Sequence, residues 1–375
     1  MLALVAFCIV TAGATGDAAQ GANARAAAAY KRAIELEAKG NAADALSLLW
    51  EAAGLAPGDA DIQNRLGEAL ERVGALDAAI DAYRLAVAAR PRFRKASNNL
   101  ILALVKGGRS KEAVERARAL VAADPDDADG YFTLGLAQSE PDVEAAITSF
   151  RRALEAAPRH ALARYNLALV LKRADRLQEA IAELQRVIEI EPRAEAHYTL
   201  GVIYWHQGDL ERAASALRAA IAAEPRYADA HYTLGALLHA RHDWAGAADS
   251  LRRALALRPD VPGAHYTMAR VLQAAGDAAA AQRHLAEAER LRARAQLEQE
   301  ARVWTSVGTE RLDAGDSSSA LECFRRAAGI FEDYAPAHYQ MGRALQRLGR
   351  LDAARAAFAR AHQLNLSLVP PKELR

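Results

Sequence analysis

The sequence predicts an all-α protein built from stacked helix pairs, and three observations carry that prediction. Prolines recur at Pro57, Pro91, Pro125, Pro158, Pro192, Pro225 and Pro259, at intervals of 34, 34, 33, 34, 33 and 34 residues. So constant a period marks a supersecondary unit repeated along the chain. Hydrophobic residues make up 52% of the 375 but aromatics only 6%, and alanine, which loses least on entering a helix, is abundant. Runs that alternate Val, Ile or Thr with polar residues, the mark of strands, are nearly absent.

Each element of the unit follows from fixed offsets. Over 60–93 these are Leu66-Gly67, Leu70, Gly74, Leu76, Ala79, Tyr83, Ala86 and Pro91. Over 194–227 the matching residues are Leu200-Gly201, Tyr204, Gly208, Leu210, Ala213, Leu217, Ala220 and Pro225. Leu-Gly and the next apolar residue form the inward stripe of a first helix. Gly74 or Gly208 ends that helix, where a left-handed backbone is cheap only for glycine. The alanines let a second helix lie close against the first, and the proline stops it. The product is an antiparallel helix pair every 34 residues.

This pattern resembles the tetratricopeptide repeat family in period, Leu-Gly pair, mid-repeat glycine, alanines, aromatic and closing proline. The resemblance implies a right-handed superhelical α-solenoid. Ten repeats are placed at 26–59, 60–93, 94–127, 128–160, 161–193, 194–227, 228–261, 262–300, 301–334 and 335–368. Residues 1–25 are a signal-like or anchor segment with a linker, 26–300 hold repeats one to eight, 301–368 repeats nine and ten, and 369–375 a tail. Departures from the pattern are informative. Repeat one has Ala29, Arg32 and Ala33 where large residues are usual, and repeat four carries Ser139-Glu140-Pro141 with one residue deleted. Repeat seven has His242 at the glycine position. Repeat eight loses its closing proline and runs to 39 residues, so helices there run on or bend, which splits an eight-repeat body from a two-repeat piece.

Counting positions from the first residue of each repeat, the resemblance implies that first-helix positions 2, 5, 9, 12 and 13 line a ligand groove. Position 5 carries Tyr30, Asn64, Asn98, Phe132, Tyr165, Tyr198, Tyr232, Tyr266, Thr305 and Tyr339. Phe132 to Tyr266 thus form an aromatic ladder over five repeats, suited to peptide side chains and backbone. The alternative is that the rings seal the seam between first helices. Leu136, Leu169, Val202 and Ala236 at position 9 extend the floor, with Asp129, Glu195 and Asp229 at one rim. Lys172, Arg173, Trp205, His206 and His239 stand at the other. His197, His231, His265 and His338 recur at position 4 and read as packing residues with one hydrogen bond, because helices 8–10 Å apart do not bring successive residues onto one ion. The Lys and Asn clamp of chaperone-tail binders is missing, since Asp129 and Thr133 stand where Lys and Arg are needed. Asn98, Asn99 and Asn166 faintly resemble the asparagine ladder of sugar-transferring enzymes.

Net charge is +1 from 48 basic and 47 acidic residues, too even for a phosphate backbone, so no nucleic-acid partner is expected. Two cysteines leave no disulfide or metal framework, and Cys323 reads as a small buried filler. The repeats use up the chain. No Walker loop, G-x-G-x-x-G junction, C-x-x-C, H-E-x-x-H or G-x-S-x-G occurs, so no catalytic residue, metal or small-molecule cofactor is expected. Leu2–Val10 followed by small residues resembles an export signal, although no Lys or Arg precedes Arg25. The expectation is an exported, periplasmic or secreted protein, with a cytoplasmic one as the alternative. The apolar run is short for a bilayer span, and membrane contact is confined to it if it is not cleaved.

The sequence therefore points to a non-enzymatic scaffold that holds a peptide or protein in its groove. The alternative is an accessory subunit of an envelope enzyme, secretion or glycosyltransferase assembly, positioning substrate without doing chemistry. A metal-dependent enzyme using His206 and His239 is the least supported reading.

Overall fold

A computed structural model describes residues 16–365 together with Leu368 and Pro371. Leu2–Val10, on which the export reading rests, lies outside the described residues, as does the tail but for Pro371. Among the described residues there are nineteen helices and no strand. They fall into two compact units divided between Pro225 and Arg226.

The N-terminal unit begins with α1 (Gly16–Ala38), α2 (Ala42–Leu55), α3 (Ala60–Arg72) and α4 (Leu76–Ala89). It continues with α5 (Arg94–Lys106), α6 (Ser110–Ala123), α7 (Ala128–Gln138) and α8 (Val143–Ala156). Its last pairs are α9 (Ala161–Arg173) with α10 (Leu177–Ile190), and α11 (Ala194–His206) with α12 (Leu210–Ala223). The C-terminal unit holds α13 (Ala228–Ala240), α14 (Trp244–Leu257), α15 (Pro262–Ala274) and α16 (Ala278–Asp313). It ends with α17 (Ser317–Ile330), α18 (Ala335–Arg347) and α19 (Leu351–Leu364). Helices α3, α5, α7, α9, α11, α13, α15 and α18 start on the first residues of the predicted repeats.

Within a pair, position 8 of the first helix faces a large side chain on the second. A Cβ on Gly67 would stand 2.5 Å from the Tyr83 ring, and one on Gly135 2.6 Å from that of Phe150. Repeat three reverses the sizes, with Ile101 at the small position and Ala117 at the large one, both buried. Volume is thus conserved while its source moves between helices, as close-packed interiors require.

The turn inside every pair but that of repeat four holds one left-handed residue. Gly74 has φ 77°, and the Ala75 amide donates to the Leu70 carbonyl, which closes the helix end. His242 takes the same place with φ 62°, and so does Asp175 with φ 58°, a departure the sequence reading passed over. Repeat four needs no such residue because α7 ends early, at Gln138, and Asp142 caps α8.

The run-on expected near repeat eight is a single 36-residue helix, α16. It joins the second helix of repeat eight to the first of repeat nine, and position 300 falls inside it. Residues 292–300 are exposed but for the half-buried Glu298. Arg292 lies over the Tyr266 ring at 5.4 Å and Arg294 over Phe331 at 5.6 Å. Cys323 is buried on α17, as a small core residue is.

Candidate functional site

Positions 2, 5, 9 and 12 are three or four residues apart, so on each first helix they form one stripe. In the N-terminal unit that stripe holds Phe132, Tyr165, Tyr198, Leu136, Leu169, Val202, Lys172 and Trp205, all half-buried, beside the exposed Arg173 and His206. In the C-terminal unit it holds Tyr232 and His239, half-buried, and Tyr266, which is 41% exposed.

The position 5 side chains reach toward the next first helix. The Thr199 hydroxyl donates to the Glu195 carbonyl at 2.8 Å, so in its 3.4 Å contact with Tyr165 it accepts, and the tyrosine donates. Asn99 and Asn64 make the same link three repeats earlier, at 3.0 Å. Phe132 lies 5.0 Å, ring to ring, from His160, the N-cap of α9. The Tyr232 hydroxyl lies where a Cβ on Gly263 would come within 2.7 Å of it. At Asn64, Phe132, Tyr165 and Tyr232 position 5 therefore closes on the start of the next first helix, while part of each of the three rings stays accessible. Tyr266 is the most exposed of the ladder, with Arg292 of the long helix above it.

Position 4 points the other way. His265 Nε2 donates to the Pro259 carbonyl at 2.9 Å, and His338 Nε2 to that of Glu332 at 2.7 Å. Gln63 and Arg164 make the equivalent bond to Pro57 and Pro158 at 3.1 and 2.7 Å. At Gln63, Arg164, His265 and His338 the position 4 side chain thus ties its first helix to a carbonyl near the end of the preceding repeat. His197 is half-buried, and burial lowers its pKa below the ordinary histidine value.

Charges complete the face. In repeats one to three, Arg72 pairs with Glu37, Lys106 with Glu71, and Lys95 with Glu68 at 2.7 Å. Burial alone would raise the Glu68 carboxyl, but the Lys95 ammonium and the Asn64 amide outweigh it and hold it below the ordinary value. His239 lies 5.4 Å and His242 5.0 Å from the Trp244 ring, edge on. Burial lowers the His239 pKa, and Arg270 and His242 lower it further. His239 belongs to the C-terminal unit, whereas His206 and Trp205 belong to the N-terminal one. Among the described residues no three His, Cys, Asp or Glu side chains come together as metal ligands would. The ion pairs between positions 12 and 13 of successive repeats escaped the sequence reading. Their signal was present as Glu37 and Arg72, and Glu71 and Lys106, each 35 residues apart.

Comparison with known proteins agrees with this architecture. The tetratricopeptide repeat family pattern matches residues 30–92, 98–140, 141–195, 191–216 and 198–262, and related patterns match 238–299 and 335–367. A tetratricopeptide repeat protein from Parabacteroides merdae superposes with a TM-score of 0.54 at 17% identity, covering 66% of this chain and 99% of its own. YrrB, another repeat protein, has a TM-score of 0.41 at 18% identity over 48% of this chain and 93% of its own. The human protein O-mannosyl-transferase TMTC3 is 33% identical over 138 residues, 34% of this chain but only 15% of the transferase. With more than half of its length matched repeat by repeat, the chain belongs to the tetratricopeptide repeat family.

Proposed function

We propose that the protein is a non-catalytic scaffold that binds a peptide or protein segment on the first-helix face of its N-terminal unit. The observation that carries this reading is the row Phe132, Leu136, Tyr165, Leu169, Tyr198 and Val202, which remains only half-buried although its members are large and apolar. Rigid rings with part of their area free supply binding surface at low entropic cost. The cross-repeat bond of Tyr165 fixes the ring rather than hiding it. A photo-crosslinking residue tests the reading in the native cell. Placed at Leu162, exposed at position 2 of α9, it captures a partner; placed at Arg152, exposed on α8, it does not. Capture mainly through Arg152 would put the binding surface on the second helices and defeat the proposal.

The resemblance to part of a mannosyl-transferase supports a second reading, an accessory subunit of a glycosyl-transferring assembly. Co-purification with a separate transferase chain tests it, and a partner with no such activity removes it. The export reading of Leu2–Val10 belongs with either, and cell fractionation decides it.

A further inference from the structure

Four first helices carry Lys or Arg at position 13, and three of those side chains have a partner at position 12 of the preceding repeat. Arg72 takes Glu37 and Lys106 takes Glu71. Arg347 donates to the Leu312 carbonyl. The fourth is Arg173. Its counterpart in repeat four is Ser139, whose hydroxyl is turned back to the Gly135 carbonyl at 2.8 Å. Neither Arg173 nor its neighbour Lys172 has an ion-pair partner among the described residues. The exposed Glu140 adjoins Ser139 in sequence but pairs with neither cation. The other charges of this face are engaged: Asp129 with His160 at 3.3 Å and Glu195 with Arg193 at 3.6 Å. The two cations at the end of α9 thus stand on the same face as the half-buried apolar row of α7, α9 and α11. A helix C-terminus favours cations, which accounts for their being there but leaves them uncompensated.

We propose that the acid missing at Ser139 is supplied by the ligand: the face of α7, α9 and α11 takes an extended segment of apolar side chains bearing an Asp or Glu, whose carboxylate meets Arg173 and Lys172. This rests on the binding face proposed above and adds the charge and spacing of its ligand. First helices pack about 8–10 Å apart, and an extended chain advances about 3.3 Å per residue, so apolar side chains roughly three residues apart reach successive helices. The carboxylate belongs beside the middle one, over α9. An unpaired Arg fork and a neighbouring ammonium reward an acid and repel a base at the same place.

The test uses the full chain and three fluorescent synthetic peptides of about nine residues. Each has leucines three apart, and Glu, Gln or Lys follows the central leucine. Anisotropy titrations at low salt should show the Glu peptide binding about fivefold tighter than the Gln peptide, the upper end for a solvent-exposed pair, with the Lys peptide weakest. The preference should shrink as salt is added. It should vanish in the Lys172→Gln/Arg173→Gln variant, and equally in Ser139→Glu, which restores the internal acid. Equal binding of the three peptides, or a preference that survives both variants, overturns the inference while leaving the apolar face intact. If no peptide binds, or if binding is unchanged by Leu169→Asp, the binding face itself is wrong and the inference falls with it.

Discussion

At the scale of single residues, the fold depends on a small residue meeting a large one. Gly135 and Phe150 are both buried, and the ring leaves no space for a methyl group. Gly135→Ala should therefore lower stability by about 1–3 kcal/mol, the ordinary penalty of overpacking. Gly329 lies in α17 with nothing near the place a Cβ would take. Gly329→Ala should raise stability by roughly 0.5–1 kcal/mol through helix propensity. Urea unfolding of the two variants checks both signs, and a neutral Gly135→Ala would mean that the ring can move aside. The same logic separates the two histidine rows. His265 and His338 at position 4 are tied to a carbonyl six residues back, so they serve the joint between repeats, while His206 is free of any such bond and exposed.

At the scale of elements, repeat eight is the exception. His265 uses Nε2–H for the Pro259 carbonyl, so its Nδ1 must accept, and His284 Nδ1–H donates to it at 2.9 Å. This bond ties α15 to α16 in a tautomer pair that is complete when both rings are neutral. Protonating both sets one N–H against the other. Burial lowers the His284 pKa below its ordinary 6.5, and His265 and Arg283 lower it further. Glu287 is held low first by its hydrogen bond to Arg290, with His265 contributing, and so stays an anion nearby. Between the lowered value and 6.5 the unfolded chain binds more protons than the folded one. The contribution of His284 is thus full above 6.5 and is lost as pH falls through its folded value. Melting at about pH 7.5 and about pH 5.5 should show a drop on acidification. His284→Gln should reduce that drop, and an identical drop in the variant would assign it to other groups.

At the scale of the whole molecule, each helix pair is stabilised mainly by its neighbours, as in other stacked repeats. One buried cluster spans α1 to α7, and separate ones lie within α16 to α19. Gly308→Ala would press a methyl group to 2.5 Å from the Phe324 ring and 3.0 Å from Cys323 Cβ. Hydrogen exchange should then quicken in α16–α19 and stay unchanged in α1–α7. Uniform acceleration along the chain would show that the repeats unfold as one. The sequence by itself determined the helix pairs and where eight of the ten repeats start, although α1 begins at Gly16 rather than residue 26 and α16 runs through the predicted 300/301 boundary. Its 34-residue period, its glycine or substitute at the turn, and its closing proline each act within a few residues, so local reading suffices. It also marked repeat eight as irregular from a missing proline. Only the tertiary structure decided which positions meet between repeats: 5 with the following first helix, 4 with the preceding carbonyl, and 12 with 13. Those contacts join residues six to 35 apart whose chemistry varies from Asn to Tyr and from Glu to Ser, so no single letter announces them. The free cations at Lys172 and Arg173 became visible only once their paired equivalents could be seen.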